Sequence, residues 1–258
     1  VEKRCCDAAA ICEAVTRPSM RFVPIKSADQ QALLMLHRTR DLLIRQRTQL
    51  INALRAHLAE FGLVAATGRE GLAQLAAIIT DESNREALPS AMKQALQAIV
   101  DQLAALELQI VTLDRAIHTH HRANDMSCRI ETVPGIGVIG ATAIASTVTD
   151  PSDFKSGRDF AAWIGLVPRQ HSTGGKERLG GISKQGDRYL RRLLVIGATA
   201  VVRQARLHPQ KHPWIMRLLA KKPAKLVAVA VANKMARIAW AIMAKGGHYR
   251  APELAAAT

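Results

Sequence analysis

The sequence predicts a mainly α protein, in which a long helical, coiled-coil hairpin precedes a helical domain containing a helix-hairpin-helix motif. Three observations predict it. An apolar and polar pattern of helical period runs from Ser27 to about Phe61. Further on, Met92, Leu96, Ile99, Leu103, Leu106, Ile110, Leu113 and Ile117 recur at alternating steps of four and three, which is an a/d heptad seam. Then Pro134-Gly135-Ile136-Gly137 stands between a short helical stretch and a second one rich in small residues. Nothing reads as strand.

Taken in order, Ser27 with Gln30 three residues on is a capping box that starts the first long helix. Its polar face is basic, with Arg38, Arg40, Arg45, Arg47 and Arg55. Gly68–Gly71 breaks the pattern, a shorter helix follows through Ile79, and a polar loop spans Asp81–Arg85. The heptad seam comes next. It fits an antiparallel hairpin with the Ser27–Phe61 helix, and it equally fits a seam that joins two protomers into a homo-oligomer. The two readings are compatible if one edge of the seam stays open.

After His118–His121 the composition changes, and Val138–Val148 is rich in alanine and isoleucine. The turn at Gly135 and Gly137 permits positive φ and close backbone approach, and free amides at the following helix start suit a phosphate. A tight turn between core helices is the plainer account. Asp150–Asp153 is a turn and Ser156–Gly165 a helix. A long glycine-rich loop, Val167–Gly186, then leads to a helix from Asp187 to about Leu207. Pro209 and Pro213 bracket a break before helices at Trp214–Ala220 and Ala224–Lys245, with Gly246-Gly247 as the final cap.

Charge adds the first functional clue. The net charge is +15. Residues 1–150 hold 16 Lys/Arg and 16 Asp/Glu, whereas residues 151–258 hold 20 and 5. A basic half beside a neutral one is the footprint of a polyanion binder. Aromatics are only 3% of the chain, which argues for duplex or structured nucleic acid held through phosphates over a stacking platform. Cys5, Cys6, Cys12 and Cys128 lack metal or disulfide spacing, and a reducing cytoplasm, near the nucleoid, is the expected location. No uninterrupted apolar run reaches membrane-span length, so no membrane is expected as a partner.

The glycine-rich loop is where chemistry is expected, because loops of that length within helical domains are commonly functional. It offers two hydroxyls, Ser172 and Ser183, among Arg169, Lys176, Arg178, Lys184, Arg188, Arg191 and Arg192. A serine attacking a phosphodiester forms a covalent phosphoserine and frees one strand end; surrounding cations stabilise the developing charge. His171 is the adjacent candidate base. Either serine also fits a plain loop hydroxyl, Ser183 more so because it precedes the Asp187 helix.

These strings carry a resemblance. Thr132–Gly137, Phe160–Arg169, Ser172–Lys176 and Gly181–Arg191, spread over residues 127–205, resemble the C-terminal domain of the IS110-type insertion-sequence transposases. The resemblance implies a RuvC-like domain with an acidic DEDD tetrad for Mg2+, a helical coiled coil, and a C-terminal serine domain. It makes Ser172 the nucleophile, with Ser183 second, and it implies DNA as partner and, in some members, a structured guide RNA.

On that template residues 1–26 are the end of the RuvC-like domain, 27–124 the coiled-coil region, and 125–258 the DNA-binding serine domain. Asp7 matches one tetrad acid, Arg4 stands where another belongs, and two would precede Val1. The chain therefore reads as a fragment, expected to bind Mg2+ unproductively and to be inactive alone. Two other readings stand beside it: a non-catalytic DNA- or guide-RNA-binding remnant that competes with full-length transposase, and an unrelated helix-hairpin-helix module.

Overall fold

In the computed structural model, described residues are 2–20, 22–66, 71, 74, 75, 77, 88–176 and 178–251. Helix α1 (Glu2–Thr16) is solvent-exposed from Asp7 onward except at Ala14. An extended linker leads to α2 (Ala28–Ala59). The capping box forms as the sequence requires. Ser27 Oγ accepts the Gln30 N–H at 3.1 Å, and Gln30 Oε1 accepts the Ser27 N–H at 3.0 Å.

Of the expected shorter helix, only Gly71, Gln74, Leu75 and Ala77 are described, and these are helical. Of the expected break at Gly68–Gly71 all but Gly71, and the whole Asp81–Arg85 loop, lie outside the described residues. Helix α3 (Ser90–Ala123) returns along α2. The ion pairs Arg40–Asp114 and Arg47–Glu107, the latter at 2.9 Å, run in opposite residue order and show the two helices to be antiparallel. All eight seam residues are buried or half-buried. Met92, Leu96, Ile99 and Leu103 pack with Leu54, Leu58, Leu75 and Leu88 inside the same chain.

This packing is the within-chain pairing of the two expected, and it leaves Met92, Ile99, Leu103 and Leu113 half-buried. The seam lies on α2, and the apolar side chains that α3 leaves outside, Leu108 and Val111, lie off the seam. A heptad face is satisfied by any helix of matching period, and the one tethered in the same chain is at the higher effective concentration.

The rest of the chain gathers around a second core. Helices α4 (Asp125–Glu131) and α5 (Val138–Thr147) flank the Pro-Gly-Ile-Gly turn. A 3-10 turn (Pro151–Asp153) precedes α6 (Gly157–Ile164), which Ser156 caps at its start and Gly165, at φ 83°, ends. Then come α7 (Arg188–Leu207), with Asp187 as N-cap, a 3-10 turn (Pro209–Lys211), α8 (Pro213–Leu219) and α9 (Ala224–Lys245). Phe160, Ile164, Leu190, Leu194, Val231 and Met235 lie in this core, where α6 and α7 pack on α9.

Among the described residues two helices, α3 and α9, are long and apolar enough to cross a membrane by length and composition. In this fold α9 spends that apolarity on nine buried core residues, and α3 lays its seam on α2.

The glycine-rich stretch departs from expectation. It contains an antiparallel strand pair, β1 (Pro168–Gln170) and β2 (Leu179–Ile182), with Pro168 opposite Ile182 and Gln170 opposite Leu179 across a bulge. Pro-Arg-Gln and Leu-Gly-Gly-Ile lack the alternation and β-branching that mark strands. Pairing here comes from backbone bonds and a glycine turn, which leave no side-chain period to read.

Candidate functional site

The β-hairpin is built from its turn outward. Gly174 and Gly175 have φ of 55° and 80°, the left-handed pair that a two-residue hairpin turn requires. Thr173 and Lys176 flank them, and the Lys176 N–H donates to the Thr173 carbonyl at 3.1 Å. Farther along, the His171 N–H donates to Arg178 O at 2.8 Å, and the Ser183 N–H to Val167 O at 2.8 Å.

At its base the hairpin is clamped to the domain by close backbone contacts. A Cβ on Gly186 would stand 1.7 Å from Trp163 O, and one on Gly165 2.0 Å from Gln185 O. Only glycine fits there. Arg191 completes the clamp, donating from Nη1 to Ile164 O at 2.7 Å and to Gln185 O at 2.9 Å.

Ser172 lies half-buried on the hairpin, and its Oγ accepts the Arg178 N–H at 3.2 Å. An oxygen already accepting an amide proton has its own proton free to give, and the amide dipole favours negative charge on that oxygen. No side-chain base is hydrogen-bonded to it among the described residues. The His171 ring covers Gly180 instead: a Cβ there would be 3.1 Å from His171 Cδ2. Ser183 sits at the hairpin base, where its carbonyl accepts from Arg169 Nη2 at 3.1 Å.

The seven cations divide. Arg169, Lys176, Arg178, Lys184 and Arg188 are exposed on the hairpin and the segment after it. Lys184 has φ 56°, the one non-glycine residue with positive φ among those described, a conformation that costs energy and clusters at functional segments. The other two are committed elsewhere. Arg191 is the clamp just described, and Arg192 pairs with Asp41 of α2 and lies over the Tyr189 ring, 5.3 Å from its centroid.

Gly135 and Gly137 also part company. A Cβ on Gly135, at φ 90°, would be 2.7 Å from Val201 Cγ2, and one on Gly197 would be 1.8 Å from Gly135 O. Gly135 therefore serves close packing of the turn on α7. Gly137, the N-cap of α5, meets nothing within 4 Å and opens to solvent.

Asp7 is exposed on α1, and the next acid on that helix, Glu13, pairs with Arg17. Among the described residues no three His, Cys, Asp or Glu side chains are grouped to hold an ion. Among the described residues no such group fits the Mg2+ that the resemblance implies.

One buried polar cluster joins the arm to the domain. His37 of α2 is 1% exposed, with Nε2 3.0 Å from Thr142 Oγ1 and Nδ1 3.1 Å from the Tyr189 hydroxyl. Thr142 gives its own proton to Val138 O at 2.8 Å, so it accepts from Nε2–H, and Tyr189 donates to Nδ1. Burial, helped by nearby Arg40 and opposed by Asp114, lowers the His37 pKa to about 4. Burial likewise raises the Tyr189 pKa.

The sequence reasoning missed a second feature. Beside the hairpin base runs a groove of about 1410 Å³, walled by α9, the start of α6 and the segment after α9. Lys234, Arg237 and Lys245 line it from one stripe of α9. Their spacing of three and then eight was the available signal, since it repeats along one helical stripe at the edge of the buried face.

Comparison with known proteins places this architecture. The family described as "Transposase IS116/IS110/IS902 family" matches residues 127–212, from α4 through the hairpin to the end of the second 3-10 turn. A protein of Pseudomonas aeruginosa named "Probable family 20 transposase" is 50% identical over 246 residues, 95% of this chain and 72% of its own length. The chain belongs to this transposase family. The transposase for insertion sequence element IS1328 of Yersinia enterocolitica is 41% identical over 93% of the chain and 71% of its own length. That for IS1111A of Coxiella burnetii is 37% identical over 95% and 67%. This family member thus spans between 64% and 72% of the length of such relatives. The family match includes Ser172 and all seven hairpin-region cations, whereas α9 and its basic stripe fall beyond it.

Proposed function

We propose that the chain acts on DNA in insertion-sequence transposition, where strands are cleaved and rejoined with Ser172 as nucleophile, a reaction it is expected not to complete alone. One observation carries this reading: Ser172 is a half-buried hydroxyl on a glycine-turned hairpin whose exposed charged neighbours, among the described residues, are cations. Ser172 Oγ attacks phosphorus, a phosphoserine ester forms, and the bond to one deoxyribose oxygen breaks. The proton lost from Ser172 balances the one gained by that leaving oxygen. The ester conserves the linkage, so a second DNA end can attack it and release the serine.

In this reading Arg169, Lys176, Arg178, Lys184 and Arg188 hold phosphates and offset the charge that develops on the reacting group. Arg191 and Arg192 position the hairpin and α7. Gly137 leaves the start of α5, in a helix-hairpin-helix setting, open to a phosphate. Ser183 is the second choice of nucleophile, and a structured guide RNA is a further partner that the family resemblance suggests.

A second reading has its own observation. The Ser172 Oγ bond to the Arg178 amide also fastens the hairpin, which suits a non-catalytic nucleic-acid binder. Denaturing gels of the chain incubated with DNA spanning an element end separate the two. A protein–DNA adduct that Ser172→Ala abolishes while binding persists supports the nucleophile. An adduct lost with Ser183→Ala and kept with Ser172→Ala would reassign it. No adduct from the wild-type chain, with binding intact, favours the binder.

A further inference from the structure

The groove beside the hairpin gathers one sign of charge and three of the chain's nine Phe, Trp and Tyr rings. Arg158, Lys234, Arg237, Lys245, His248 and Arg250 line it, all exposed, and no carboxylate lines it among the described residues. None of its five Lys and Arg side chains is in an ion pair among the described residues. Two of the chain's three tryptophans, Trp214 and Trp240, and one of its two tyrosines, Tyr249, also line it.

The walls are held in place. Trp240 Nε1 donates to Pro151 O at 3.0 Å, and the segment after α9 is tied back by the Tyr249 N–H to Thr132 Oγ1 at 2.9 Å. Lys234 Nζ stands 4.4 Å from the Trp214 ring centre, so a cation and a π-face are offered at one point. Glycines 180 and 181 of β2 form the opposite edge without side chains, which makes the groove continuous with the hairpin.

We propose that this groove binds an unpaired nucleic-acid strand, with its phosphates on the five Lys and Arg side chains and its bases against Trp214 and Tyr249. A tracking line of cations interleaved with aromatic faces is the arrangement that holds single strands. A duplex keeps its bases stacked inside and offers the rings only backbone. The low aromatic content pointed to duplex binding; the fold reverses that locally by bringing distant rings together. The site stands on the groove alone and does not depend on Ser172 chemistry.

The test is binding of a short oligothymidylate, an oligouridylate and a DNA duplex of equal length to the full chain, followed by tryptophan fluorescence. Both single strands should quench the fluorescence, whereas a duplex, held by the hairpin cations in the proposed function, should bind without quenching it. If only one single strand does so, the site is specific for that sugar. Lys234→Glu with Arg237→Glu should weaken single-strand binding by about tenfold or more, while Arg203→Glu with Arg206→Glu on α7 should change it less than about twofold. Should the first pair fail to fold, Lys245→Glu with Arg250→Glu decides. Single strands that bind without quenching, or groove variants that bind them like wild type, would overturn the proposal. Serine adducts formed by such unaffected variants would leave the cleavage reading standing.

Discussion

The molecule contains two hairpins that are stabilised by opposite means. The arm of α2 and α3 is held by side chains: eight seam residues covered, Leu58 fully buried, and two ion pairs in register. The β-hairpin of β1 and β2 is held by backbone: cross-strand amide bonds, two left-handed glycines and a clamped base, while most of its side chains face solvent. Burial of apolar surface makes the arm a stiff strut. The β-hairpin leaves its side chains free for a ligand, with only its backbone committed to structure.

If that contrast is right, the largest effect belongs to the arm. Leu58→Ala removes a wholly buried side chain, and urea unfolding should show a loss of about 2–5 kcal/mol. A loss near zero would mean that the arm is held by something other than its seam.

Next in size is an acid effect at the junction of arm and domain. His37 is neutral in the fold, with a pKa of about 4 against 6.5 when unfolded. Between those values the unfolded chain takes up the proton, so stability falls as pH drops. His37's contribution is fully present above 6.5 and is lost toward 4, reaching roughly 3 kcal/mol at the acid end. Urea midpoints measured across that window should decline in wild type and flatten in His37→Gln. A wild-type profile without slope there would remove the role given to the cluster.

Smaller effects belong to the β-hairpin. Lys184→Gly relieves a positive φ and should raise stability by about 1 kcal/mol while weakening DNA binding. An increase in both would make Lys184 a structural accident. Leu179→Ala, at a position 65% exposed, should alter stability by less than about 0.5 kcal/mol. A large loss would show that side chains hold this hairpin after all.

How much could be read beforehand follows the same division. The capping box at Ser27, the seam, the Asp187 start of α7 and the Gly246 end of α9 were legible, because each is settled by hydrogen bonds or periods within a few residues. Ser172 and its cations were legible as a cluster in sequence. Their division was not. Nothing local distinguishes Arg191 and Arg192 from Arg188, and only the carbonyls of Ile164 and Gln185 and the Asp41 carboxylate do so in space. The strand pair was hidden because glycine, proline and arginine carry no strand period.

By itself the sequence determined the helices from α2 onward, the family, the basic C-terminal half and the hydroxyl on which the proposed chemistry rests. Those properties are local or additive, so they survive in a one-dimensional reading. Tertiary structure alone decided that the seam packs on α2 of its own chain, that Gly135 packs on Gly197 while Gly137 stays open, and that two tryptophans and a tyrosine share a groove with five cations. Those are meetings between residues distant in sequence. Which residues meet depends on how the helices pack around a common core, and no residue's immediate neighbours carry that information.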